Sequence, residues 1–311
     1  TGAVFAFVTL SKEGVTDQEM VQLLSLDERV MLEVNEYNHS AFLPPHVWLR
    51  LRYEFTELLT ESGRGCLRWY HRQLWEAAAS RFSAEQRLVY HSLMGRYFGD
   101  LISVDERAAR KVSPQPLLLR AGGRSVWTVR DTGVINQRRC AEAGHNLVRG
   151  QCLGQAAKEL CDLFFICAAA KAGLGYELVA CLLALHREMR ATDFGSRSES
   201  HERVMVRVDH YLRWLGQSMS RILLNPSLYI TLTATEQPTV SEARRDMKSF
   251  CVRTSVTRFA DVSTSNSSYL WFRCRQLGGQ SNFSALLLSL SGHRRDVNSV
   301  AFSADGTRIV S

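Results

Sequence analysis

Residues Leu290–Ser311 read LSGHRRDVNSVAFSADGTRIVS: a Gly-His pair, a short polar loop, an alternating run, an Asp-Gly turn and a second short run. Val297–Ser303 places Val300 and Phe302 on one side and Ser299 and Ala301 on the other, the period-two pattern of a strand. Asp305 tolerates a tight turn and Gly306 accepts a positive φ, so the chain is expected to reverse there and return as a strand over Thr307–Ser311. The apolar run Leu286–Leu290 just upstream is expected to supply one more strand.

Working back from that end, Thr254–Ser268 has eight Ser or Thr in fifteen residues, and residues 251–285 read as a linker. Residues 136–250 carry helical periodicity. Leu160, Leu163, Phe164 and Cys167 make one stripe, and Leu178, Leu182, Leu183 and Met189 the next. Ala172–Gly175 lies between them as a helix–helix turn. It is no dinucleotide loop, because a helical run precedes it instead of a strand. A longer helix over 201–224 aligns Val204, Val208, Tyr211, Leu215, Met219 and Ile222. Helices paired in this way are expected to stack as a solenoid-like region. Pro114, Pro116 and Gly122-Gly123 mark 101–135 as a connector, with one short element near 115–119.

Residues 1–100 read as compact helices around one β-hairpin, the shape of a winged-helix domain. Val4, Phe7 and Val8 face inward, and Gly14 ends the first helix. Thr16–Glu19 and Ser83–Gln86 have capping-box spacing, in which hydroxyl and carboxylate or amide satisfy free amides at a helix start. Pro45 suits the first turn of a helix presenting Val47, Leu51, Phe55 and Leu58. Leu59–His71 supplies the hairpin. The following helices are expected to bury Leu74, Trp75, Ala78 and Phe82, then Val89, Leu93 and Tyr97.

The eight cysteines form no CxxC pair and have no histidine at zinc-ligand spacing. Most lie in apolar helical runs, where a reduced thiol acts as a small hydrophobe, which suggests a reducing, intracellular setting, cytoplasmic with the nucleus as the alternative. No window approaches the length of a membrane-spanning helix. The chain opens on Thr1, so both ends are expected to be cuts through a longer protein. GxxxxGK[ST], HExxH and GxSxG are all absent, and the histidines do not cluster with carboxylates, so the chain is expected not to be an enzyme. Net charge is +7, but residues 1–100 carry ten Lys/Arg against thirteen Asp/Glu. A DNA-reading winged helix should itself be basic, so nucleic-acid binding stays an alternative that the charge distribution does not favour.

Two motifs resemble known families. Gly292-His293 ahead of an alternating strand and the Asp305-Gly306 turn resembles the opening of a WD40 propeller repeat, a unit of about 40–45 residues. That resemblance implies that His293 packs beneath the blade and bonds a strand hydroxyl, with Ser311 the candidate. Arg68–Glu76 (RWYHRQLWE) resembles the winged-helix motif of NACHT-type signal-transduction NTPases, in which an aromatic strand leads into a His at a helix start. By that resemblance His71 touches the β-phosphate of bound ADP when an NTPase domain lies upstream, a contact that a helix N-terminus also favours. Leu163–Leu178 resembles the helical region between winged helix and propeller in NACHT–WD40 proteins.

Together these imply a mostly α chain: a winged-helix domain at 1–100, a connector at 101–135, a helical region at 136–250, a linker at 251–285 and the truncated start of a WD40 propeller at 286–311. The function implied is regulatory and scaffolding, with nucleotide-dependent closure or assembly alongside an upstream NTPase. ATP or ADP is expected for the longer protein and no cofactor for this chain. Protein partners are expected through the propeller, with homo-oligomers possible and no membrane.

Overall fold

In the computed structural model the described residues are 2–36, 40–62, 65–119, 134–191 and 199–224, with 226, 230 and the strand pair at 301–302 and 309–310. The described chain is mostly helical. Its first body runs α1 (Gly2–Leu10), β1 (Val15–Thr16), α2 (Asp17–Leu26), α3 (Glu28–Asn35), α4 (Pro45–Glu54), β2 (Leu59–Glu61), β3 (Cys66–Trp69), α5 (Arg72–Ser80) and α6 (Ala84–Phe98). The three strands form one antiparallel sheet in the order β1-β3-β2, with Val15 opposite Leu67 and Leu59 opposite Trp69.

Local chemistry sets these elements. Thr16 accepts from the Glu19 amide while the Glu19 carboxylate accepts from the Thr16 amide, closing the capping box of α2. Ser83 and Gln86 do the same for α6. Asp27 both ends α2 and caps α3, its side chain accepting from the Arg29 and Val30 amides. Gly14 is confined to glycine twice over. Its φ is +87°, and a Cβ there would stand 2.4 Å from the Leu67 carbonyl oxygen of β3.

The core of this body joins Phe7, Met20, Leu23, Trp48, Leu67, Met94, Tyr97 and Phe98. Two expected core positions are exposed, and one buried residue was not expected. Trp48, and not Val47 or Leu51, is the fully buried residue of α4, with its indole N–H donating to Asp17 at 2.8 Å. Trp75 and Val89 are 45% and 49% exposed instead of core: Trp75 bonds Thr9 of α1 by its indole edge while lining an open groove, and Val89 lies on the exposed first half of α6.

The stretch read as a connector holds α7 (Val104–Arg110), capped by Ser103 accepting from the Glu106 amide. It also holds β4 (Leu118–Leu119), which pairs antiparallel with β5 (Val134–Ile135). Beyond it come α8 (Gln137–Arg149), α9 (Leu153–Leu160), α10 (Leu163–Lys171), α11 (Gly175–Ala191) and α12 (Glu199–Leu224). Gly173, at φ +78°, closes α10: the Gly173 amide donates to Ala170 and the Leu174 amide to Ala169, a Schellman turn that launches α11. The long helix buries Val208, Tyr211, Trp214, Leu215, Met219 and Ile222. Leu183 is 38% exposed, and Leu185 takes its place inside. In a solenoid each repeat touches only its neighbours. Here α8 meets α9, α10 and α11 around one shared core, so the helices close into a bundle.

The two bodies meet along α6 and α8. A Cβ at Gly95 would lie 3.0 Å from the Leu147 amide nitrogen, and one at Gly150 only 2.5 Å from that of Ser92. The helices cross at backbone distance because glycines line the crossing. At the far end β6 (Ala301–Phe302) pairs antiparallel with β7 (Ile309–Val310). Gly292, His293, Asp305, Gly306 and Ser311 lie outside the described residues, as do the linker at 251–285 and the rest of the expected propeller start.

Candidate functional site

His71 sits where β3 hands the chain to α5. It is the N-cap of that helix, with extended backbone at φ −120° and ψ 143°, and its ring makes no capping bond to the helix amides. The side chain is exposed, and Tyr70 stacks edge-on against it at 4.3 Å. His71 and Arg72, the cap and first residue of α5, both line one open space.

That space is a groove of about 210 Å³ lined by Val8, Ser11, Lys12, Gly14, Arg68, Trp69, His71, Arg72 and Trp75. Its lining contributes three permanent cations and an imidazole, but no carboxylate. Two indoles give it a floor anchored on one residue: Trp69 Nε1 donates to Thr9 Oγ1 at 3.0 Å and Trp75 Nε1 to the Thr9 carbonyl at 2.9 Å. Arg68 reaches across to the Glu13 carbonyl at 2.7 Å, and Arg72 pairs with Glu76 one turn along α5. Cations gathered over a helix N-terminus attract an anion.

The loop between α1 and β1, which contributes Lys12 and Gly14, is held from the other body. The Lys12 and Glu13 amides donate to the Glu142 carboxylate of α8 at 3.0 and 2.7 Å. Arg138, one turn earlier, donates to the Gly14 carbonyl at 2.7 Å and to both Glu19 oxygens at 2.9 and 3.0 Å. The Lys12 ammonium pairs with Glu177 of α11.

Glu142 is fully buried. Burial pushes its carboxyl above the usual carboxylate range, while Arg138, the two loop amides and Asn146 pull it back down. For Arg138 burial works against the charge, but Glu19 and Glu142 outweigh it and hold the guanidinium protonated. Asn146 donates its amide to Glu142 at 2.9 Å, which turns its oxygen toward His91 Nδ1 at 2.8 Å and assigns His91 the Nδ1–H tautomer. Beside it, burial first and then His91, Arg149 and Lys12 lower the His145 pKa to about 4. Burial likewise lowers that of His91, against the pull of Asn146.

Sequence reasoning placed His71 at a helix start, where it stands, but saw none of these surroundings. Glu142, Asn146 and Arg138 lie on successive turns of one face of α8, a polar stripe at helical spacing that marks a buried partner only once the other body is in place. Among the described residues no cluster of His, Cys, Asp and Glu could hold a metal ion, and no helix is long and apolar enough to cross a membrane. The six cysteines described are thiols, and three of them, Cys66, Cys161 and Cys167, are buried.

Comparison with known proteins gives a distant relation. Human NACHT domain- and WD repeat-containing protein 1 is 27% identical over 136 residues, which span 37% of this chain and 9% of that protein. The chain thus covers less than a tenth of the relative's length. No family profile matches the chain, and no solved structure matches it.

Proposed function

We propose that this chain is a regulatory and scaffolding piece of a NACHT–WD40-type switch protein. Residues 1–100 act in it as a winged helix that offers His71 to a phosphate held mainly by another domain. The carrying observation is the groove around His71, where Lys12, Arg68 and Arg72 converge with no lining carboxylate. The distant similarity to a protein named for a NACHT domain and WD repeats supports the same class, as does the β1-β3-β2 sheet set among helices. By this reading the strand pair at 301–310 opens a propeller that binds protein partners.

The groove supplies cations and one imidazole but no glycine-rich loop of backbone amides to wrap a polyphosphate. ADP should therefore bind this chain alone more weakly than micromolar, and the chain should catalyse nothing. Pyrophosphate is the simplest probe of the site. Titrated into the 311-residue chain, it should shift the His71 ring carbon–proton signal saturably in the millimolar range. Arg68→Gln together with Arg72→Gln should weaken this about tenfold or more, the scale of losing charge-assisted bonds. A linear, non-saturating drift identical in both proteins would sink the reading.

A further inference from the structure

Lys12 belongs to two places at once. It lines the groove beside His71, and its ammonium is paired with the Glu177 carboxylate in the first turn of α11, 165 residues away along the chain. The other cations of the groove are satisfied within their own body: Arg72 by Glu76 on the same helix, Arg68 by the Glu13 carbonyl. Lys12 ties the groove to the helical bundle through its side chain.

The backbone beneath Lys12 is fixed independently. Glu142 accepts the amides of Lys12 and Glu13, Arg138 donates to the Gly14 carbonyl, and Gly14 itself is pressed against Leu67. With the loop clamped, the ammonium can change partner by side-chain rotation alone. Both ends of the pair are accessible, with Lys12 30% and Glu177 44% exposed at the side chain.

We infer that Glu177 is a competing internal anion for the His71 groove: it occupies the Lys12 ammonium that a bound phosphate would use, so that phosphate binding and the Lys12–Glu177 tie exclude one another. This deepens the reading of the groove as a phosphate site and rests on it. Linkage makes the effect reciprocal, since whatever frees Lys12 for phosphate also loosens the start of α11, and a shift of α11 alters phosphate affinity by the same factor. The regulation is local and graded. An exposed ion pair is weak, so the coupling amounts to about two- to fivefold in affinity.

Four versions of the full 311-residue chain test this with pyrophosphate, read from the His71 ring signal: wild type, Glu177→Gln, Lys12→Met, and both together. Glu177→Gln should bind about two- to fivefold tighter, a gain that a merely structural defect does not produce. In the Lys12→Met background the same glutamine should change nothing, because the ammonium it released is gone. Equal affinity for wild type and Glu177→Gln overturns the competition. So does a tightening that persists without Lys12, which would be the general loss of a negative charge nearby. Saturable binding in none of the four overturns the phosphate reading of the groove and this inference with it, whereas equal saturable binding in all four removes only the inference.

Discussion

Two sets of charges lie on either side of one loop, and they obey different rules. On the open side Lys12, Arg68, His71 and Arg72 stand around a groove in contact with water. On the closed side Arg138, Glu142, Asn146, His91 and His145 are packed between α6, α8 and the loop itself. An exposed charge changes partners at little cost, so it suits binding and release. A buried one is held by every bond it makes, and losing a partner leaves desolvated charge behind. The molecule puts its exchangeable cations on the groove and its fixed ones under the loop that carries them.

The sharpest way to break this contrast is Arg138→Met. It strands Glu19 and Glu142 at the interface and should cost about 3–5 kcal/mol in urea unfolding. A loss below about 1 kcal/mol would show that the closed side is not buried in solution. Acid should attack the same side. His145 titrates at about 4 in the folded chain against about 6.5 unfolded, so below pH 6.5 the unfolded state takes up more protons. Stability should therefore fall between pH 6.5 and pH 4 by at most about 3 kcal/mol on this account. His145→Gln should flatten that slope, and parallel curves for the two proteins would exclude His145 as the cause.

Gly150→Ala tests the crossing directly. The added methyl meets backbone of α6, which cannot rotate away, so a loss of about 1–3 kcal/mol is expected in the same unfolding assay. Thr16→Ala removes the oxygen that caps α2 and should cost about 1 kcal/mol. The smallest effect belongs to the open side. His71→Leu should leave thermal stability within about 0.5 kcal/mol of wild type while weakening pyrophosphate binding in the groove several-fold, read from the indole signals of Trp69 and Trp75. In a longer protein with an NTPase domain it should also speed ADP release. His91→Ala is not the neutral control that a surface histidine would be, because His91 is buried and bonded to Asn146.

What could be read from the residues was what neighbours in sequence decide. The capping boxes at Thr16 and Ser83, the turn at Gly173 and the inward stripe of α12 each need only a few consecutive positions, and each stands in the structure as read. His71 at the start of α5 was legible for the same reason. Failures came where a distant segment decides. Trp75 and Val89 have core-like spacing but stay about half exposed, Trp75 because it lines an open groove against α1, and Trp48 goes inside because Asp17, 31 residues earlier, accepts its indole N–H. The helix at Val104–Arg110 did carry a local signal, Ser103 three residues before Glu106, which the prolines and glycines around it obscured. The Glu142–Asn146–His91 chain had none, since α6 and α8 come within reach only across the 55 residues separating His91 from Asn146.

Thr9 has a consequence of an optical kind. Both groove indoles hang from it, Trp69 on the hydroxyl and Trp75 on the carbonyl, and one ring is half-buried while the other is 45% exposed. The two should therefore emit at different wavelengths, the exposed one redder and open to quenching by iodide. Iodide is itself an anion drawn to the same cations, so its quenching of the red component should weaken as pyrophosphate fills the groove. Trp69→Phe and Trp75→Phe would separate this pair from the chain's other four tryptophans, and the pair would then report groove occupancy with no label attached.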